Sequence, residues 1–165
     1  LHVGNFVGEL FCGQGQLGGV MIQHFPQLAG IPTARHEAAC ASGSMAAFAG
    51  MREIEAGHYD LVAISGVEMM RNVNGKLAAQ HLGAAAWIGH EAEEALYPWV
   101  YLFSEIKEFY QERYGVEDKH LAEIARINYA NARRNPNAQT RKWEMTEEDF
   151  GINDERNPII EGSLR

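Results

Sequence analysis

His36-Glu37-Ala38-Ala39-Cys40-Ala41-Ser42-Gly43-Ser44-Met45-Ala46-Ala47 is the stretch whose reading decides the fold. Ahead of it, Ile31 to Ala39 reads as a short extended run after Gly30-Ile31-Pro32. Behind it, Ala41 to Ala56 is predicted to be helical. Small residues come first, then Met45, Phe48, Ala49, Met51 and Ile54 recur at i+3/i+4 spacing as one apolar face. Gly57 closes that helix, and Tyr59 to Gly66 reads as a buried strand, which completes a βαβ crossover. Cys40 therefore sits where a strand turns into a helix. Unpaired N–H groups and dipole charge at a helix start favour a thiolate. Ala39, Ala41, Ser42 and Gly43 are small enough to let a substrate reach the sulfur. The alternative is a structural cysteine in a tight Ala/Gly seam.

Three further segments narrow the choice: Cys40-Ala41-Ser42-Gly43-Ser44-Met45-Ala46, Ile54 to Asp60, and Val62 to Met70. Together they resemble the nucleophile region of the thiolases, in particular the branch of sterol-carrier-protein-type thiolases and acetyl-CoA acetyltransferases. Asn128, Asn135-Pro136 and Ala138-Gln139 fall where that branch carries an Asn…Asn-Pro-x-Ala-Gln signature. The resemblance implies an α/β, thiolase-like fold in αβαβα layers, of which this chain is the N-terminal half with an inserted, mostly helical loop domain. Residues 1–71 are then part of the nucleophile-bearing domain. Residues 72–145 are the loop domain on the CoA side, and 146–165 return toward the first domain.

By the same resemblance, Cys40 accepts the acyl group as a thioester, in thiolysis of a 3-ketoacyl-CoA or the reverse Claisen condensation. The N–H of Cys40 is an oxyanion donor, with Ser42, Gly43 and His90 in the substrate pocket. Arg133 and Arg134, in a basic cluster with Arg141 and Lys142, are candidates for the CoA phosphates, against a solvated helix end. The partnering His and second Cys of the family lie in motifs absent from these 165 residues, so the chain is expected to be an inactive piece alone. Acyl-CoA is implied as substrate, with no bound cofactor and no metal. A homodimer or homotetramer is implied, with an acyl-CoA-metabolising protein as a further partner. Two alternatives stay open: a non-catalytic acyl-CoA-binding or channelling subunit, and a decarboxylating condensing enzyme of the ketoacyl-synthase type. A papain-like hydrolase also places Cys at a helix start, but the aromatic context after the nucleophile is missing.

The chain's 165 residues suffice for one sizeable core or part of a larger one. A formal net charge of -8 argues against nucleic acid or an anionic membrane surface as partner, so CoA phosphates must be met by local basic residues. Cys12 and Cys40 form no disulfide framework, which fits a reducing, cytoplasmic setting, with the peroxisome left open. No apolar run reaches the roughly 18–20 residues of a membrane span. The start in mid-strand at Leu1 and the stop at Arg165 read as the cut ends of a longer protein.

Elsewhere, Asn5 to Gly19 reads as a Gly-rich loop containing a structural Cys12, leading into a helix from Leu17 that Pro26 ends. Gly13-Gln14-Gly15-Gln16-Leu17-Gly18 half-matches a dinucleotide fingerprint but lacks the acidic ribose partner. Arg35, His36 and Glu37 interrupt the apolar pattern and are implied at a dimer interface or site entrance. Four strand residues, roughly 13 Å, separate His36 from Cys40, too far for direct activation. Arg71 to Glu94 reads as irregular, and neither His81 nor the His90-Glu91 pair has a third metal ligand at suitable spacing. Helices are predicted from Pro98 to Gly115 and from an Asp118 cap to Asn135, and Thr146 opens a capping box. Trp87, Trp99 and Trp143 read as core anchors of the loop domain.

Overall fold

Three short strands, β1 (His2–Gly4), β2 (Ala34–His36) and β3 (Ile64–Gly66), organise the first part of the chain. In the computed structural model, which describes residues 1–165, they form a parallel sheet in the order β2-β1-β3. His2 lies opposite Ala34 and Ile64, and Gly4 opposite His36 and Gly66. Around the sheet lie α1 (Gly8–Cys12), α2 (Leu17–His24), α3 (Ser42–Glu55) and α4 (Gly75–Leu82). The predicted β2-α3-β3 crossover is present, with β1 between its two strands. These elements form one compact unit, Leu1–Ile88; Gly89–Arg165 form a second.

The contact between α3 and the sheet is set by what is missing from glycine. A Cβ on Gly4 would stand 2.7 Å from the Cα of Gly43 and 2.8 Å from its nitrogen. Strand and helix thus meet backbone to backbone. One helical stripe down, Ala46 and Gly50 are buried, and a Cβ on Gly50 would reach 2.9 Å from Cγ1 of Val62. This corrects the predicted apolar face: Met45, Phe48, Met51 and Ile54 are all exposed. The buried stripe is Ser42, Ala46 and Gly50, and Gly43 meets Gly4 through its backbone, because only small residues allow so close an approach. β3 is likewise shorter and less buried than predicted. Only three residues pair with the three of β1, and Leu61 is 87% exposed in the irregular approach.

The Gly-rich stretch is more ordered than a loop. Asn5 Oδ1 accepts from the Gly8 N–H at 3.0 Å to start α1, and Gly13 ends it at φ 63°. α2 stops one residue before Pro26, as the ring requires. Within the stretch read as irregular, α4 forms because Asn74 acts as an N-cap, its Oδ1 accepting from the Leu77 N–H at 2.9 Å. Segment 72–88, assigned to the loop domain by resemblance, lies in the first unit, where α4 packs on α1.

In the second unit, α5 (Pro98–Tyr114) begins with Pro and ends at Gly115 with φ 67°, as predicted. α6 (Asp118–Arg134) is capped by Glu117 and not by Asp118. The Asp118 carboxylate is taken by Lys107 and Gln111 of α5, each at 2.9 Å, while Glu117 and His120 close the capping box. The capping box at Thr146 forms as predicted, with the Thr146 N–H donating to Asp149 at 2.6 Å. Bonds from Arg156 and Thr146 hold the Asp149 carboxyl at about 2. The three tryptophans are exposed, which overturns their reading as core anchors. The buried side of α5 is built from Val100 and Ser104, and Trp143 instead stacks on Tyr129 of α6 at 6.1 Å.

Gly4→Ala is expected to lower stability by about 1–3 kcal/mol, because the methyl must displace backbone. Gly43→Ala, whose added methyl meets open space, should change it by less than about 1 kcal/mol. Urea unfolding of the two variants of the full-length protein, compared with wild type, checks the contrast.

Candidate active site

Ligands of parallel α/β sheets bind beyond the carboxyl ends of the strands, where loops diverge. Here those ends are Gly4, His36 and Gly66, and the chain leaving His36 carries Cys40 into α3. Residues 39–41 form a single 3-10 turn, and the cysteine is exposed on it. Ala39 has φ 47°, left-handed for a residue with a Cβ, a conformation that costs about 1–2 kcal/mol. Both its backbone groups are held. Its N–H donates to Glu37 Oε1 at 2.6 Å, and its carbonyl accepts from Ser42 Oγ at 2.6 Å. The same Ser42 oxygen accepts from the Ala38 N–H at 3.0 Å, and the Ala41 N–H bonds the Ala38 carbonyl at 2.9 Å. Ser42 is 5% exposed, so its hydroxyl serves the turn beneath the cysteine.

The first turn of α3 has no side-chain cap and no acidic residue, leaving the positive end of its dipole uncompensated by its own side chains. Gly43 follows one position beyond Ser42 with nothing near the space a Cβ would take. An exposed thiol with open space beside it is an arrangement that acyl transfer through a thioester can use. Cys12, predicted to be structural, is also exposed: it is the last residue of α1, with Asn72 Nδ2 at 3.8 Å from its sulfur. Nothing comparable surrounds it.

Behind the turn lies a polar frame, of which the sequence reading named Arg35 and His36 but not the partners that hold them. His36 Nε2 is 2.8 Å from Nδ1 of His2 on the neighbouring strand, so it is engaged away from Cys40. Burial lowers the His2 pKa, with the charge of His36 acting in the same direction and Glu53 opposing it. Arg35 ion-pairs with Glu9 and donates to the Phe6 carbonyl at 2.6 Å, both within this chain, while its buried Nε finds no acceptor. Glu68 accepts from the Phe6 N–H at 2.7 Å, and the buried Asn5 donates to the Val67 carbonyl at 2.7 Å. These bonds tie the carboxyl end of β1 to that of β3. Each joins residues far apart in sequence, so no local pattern signals it.

The remaining predicted site residues lie in the second unit. His90 is an exposed residue of the irregular segment before α5, and Arg133 and Arg134 are exposed in the last turn of α6. The structure thus groups Cys40, Ser42 and Gly43 in one segment, apart in the chain from the other three. No set of three or more His, Cys, Asp or Glu side chains converges as metal ligands, and no helix is long and apolar enough to cross a membrane.

The family model of the thiolase N-terminal domain matches residues 3–153. The chain belongs to the thiolase family. An acetyl-CoA acetyltransferase of Methanothermobacter thermautotrophicus is 34% identical over 140 residues, covering 84% of this chain and 35% of that protein. The acetyl-CoA acetyltransferase of Methanocaldococcus jannaschii is 31% identical over 141 residues, covering 84% of this chain and 34% of that protein. The chain spans about a third of the length of these curated relatives. The observed α/β arrangement, a small parallel sheet flanked by helices, is that of an incomplete thiolase-like fold.

The lowered pKa of His2 has a definite sign in stability. Between the usual value of 6.5 and the lower native one, the unfolded chain binds more protons than the folded chain. Stability contributed at the β1–β2 pair is therefore present at neutral pH and lost as pH falls below about 6.5. His2→Gln should flatten the dependence of the unfolding midpoint as pH falls below about 6.5, read by urea titration of the two full-length proteins.

Proposed function

We propose that this chain is the nucleophile-bearing part of an acyl-CoA acyltransferase of the acetyl-CoA acetyltransferase type. One observation carries the reading: an exposed cysteine on a constrained turn, at the carboxyl edge of a parallel sheet and the uncapped start of a helix, in a chain of the thiolase family. The Cys40 thiolate attacks the thioester carbonyl of an acyl-CoA. A new C–S bond forms, the charge passes to the carbonyl oxygen, and its collapse expels CoA thiolate, leaving acyl-Cys40. N–H groups at the start of α3 stabilise that oxyanion, each worth a few kcal/mol, about 3, when correctly aimed. In condensation the acyl group then passes to the α-carbon of a second acyl-CoA, which gives up a proton to a base. In thiolysis Cys40 instead attacks the 3-keto carbon of a 3-ketoacyl-CoA: the C2–C3 bond breaks, the two-carbon fragment leaves as the enolate of acetyl-CoA and is protonated, and the remaining acyl group passes to incoming CoA, which frees the Cys40 thiolate.

The base that ionises Cys40 and the group that moves the second proton come from chain outside these residues, as the relatives' greater length allows. Gly43 keeps the approach to the sulfur open, and Ser42 supports the pocket from below. His90 is assigned to the substrate side, and Arg133 and Arg134 to the CoA phosphates. CoA enters as a substrate and not as a resident group, and the assembly is a homodimer or homotetramer in a reducing compartment.

Incubating the full-length protein with acetyl-CoA should place an acetyl group on the Cys40 peptide, read by peptide mass. Cys40→Ala should abolish the adduct and lower turnover by about 10^4-fold or more. If CoA binds but no acyl-CoA modifies Cys40, a binding or channelling role replaces this one.

A further inference from the structure

Glu37 lies in the turn before the cysteine, and the acyl-transfer steps give it nothing to do. We propose that it is a positioning residue for Cys40: with Ser42 it clamps Ala39 in the left-handed conformation that presents the thiol at the head of α3. The inference rests on the reading of Cys40 as the acyl acceptor.

The argument begins with Ala39, whose φ of 47° no neighbouring sequence favours. An alanine relaxes to negative φ unless both flanking peptides are held. Here the N–H side is held by Glu37 Oε1 and the carbonyl side by Ser42 Oγ, each at 2.6 Å. The first is a bond to an ionised acceptor, stronger than a neutral one. Cys40 shares the peptide bond that carries the Ala39 carbonyl, so rotation about Ala39 redirects its Cα–Cβ vector and its own N–H together.

Charge makes the same point by contrast. A carboxylate close to a nucleophilic thiol opposes formation of the thiolate. Electrostatics alone would therefore disfavour an acidic residue three positions before Cys40. The carboxylate is useful there as a hydrogen-bond acceptor, and its Oε1 is spent on the Ala39 N–H. Glu37 is exposed, so replacing it empties no part of the core.

The test follows single-turnover acetylation of Cys40 in the full-length protein, by peptide mass, across saturating and subsaturating acetyl-CoA. Glu37→Ala should slow the first-order step about tenfold. The half-saturating concentration and the final fraction of modified Cys40 should not change. Glu37→Gln keeps the acceptor without the charge and should stay within about threefold of wild type. Adding Ala39→Gly to Glu37→Ala should restore the rate to within about threefold, because glycine adopts positive φ unaided.

An unchanged rate in Glu37→Ala overturns the proposal. So does equal loss in Glu37→Gln with no rescue by glycine, or a loss confined to the final fraction. If wild-type protein forms no acetyl-Cys40, the acyltransferase reading fails. Positioning is then judged on the rate of iodoacetamide alkylation at Cys40, where the same pattern across the variants supports it and its absence overturns it.

Discussion

The approach of Gly4 to Gly43 is the constraint on which the first unit depends. With no side chain on Gly4, the centre of the sheet and the backbone of the first turn of α3 meet at close distance. That distance fixes where α3 begins relative to the strand ends. It leaves room for one tight turn between His36 and Ser42, and that turn includes a left-handed residue. Ala39 takes that role, and Cys40 inherits its position from it. Packing, backbone strain and the placement of Cys40 are thus one chain of cause.

The side chains near the turn divide by task. Ser42 and Glu37 hold backbone groups, and Asn5 and Glu68 tie the ends of β1 and β3, so their polar atoms are spent on structure. What remains outward-facing is the sulfur, the open space at Gly43 and the start of α3. The protons that thiolase chemistry must move are a separate requirement, and the groups placed around Cys40 here do not meet it.

The same close seam accounts for a surface that would otherwise look misplaced. Since Ser42, Ala46 and Gly50 form the buried stripe of α3, Met45, Phe48 and Met51 lie off it and are exposed. A helix with an apolar outer side is the middle of a layered arrangement. This agrees with a family whose members named above are about three times as long as this chain.

Much of this was legible in the residues themselves. Gly and Pro punctuation set the ends of α2, α3 and α5, because φ limits and the missing proline N–H act locally wherever those residues stand. The strand–turn–helix placement of Cys40 followed from the switch in apolar period on either side of it. Three kinds of fact needed the tertiary structure. The sheet-facing side of α3 was read as the large apolar one, since periodicity shows that a helix has faces but not how near its neighbour comes. The cap of α6 moved from Asp118 to Glu117 because Lys107, distant in sequence, claims the Asp118 carboxylate. Glu37 looked like an interruption of a strand until Ala39 proved left-handed. Sequence determined the Gly- and Pro-set helix ends and the place of Cys40 between strand and helix, since those depend on local torsion and residue chemistry. Tertiary structure decided which atoms face one another, because that is set by distances between segments that no local pattern encodes.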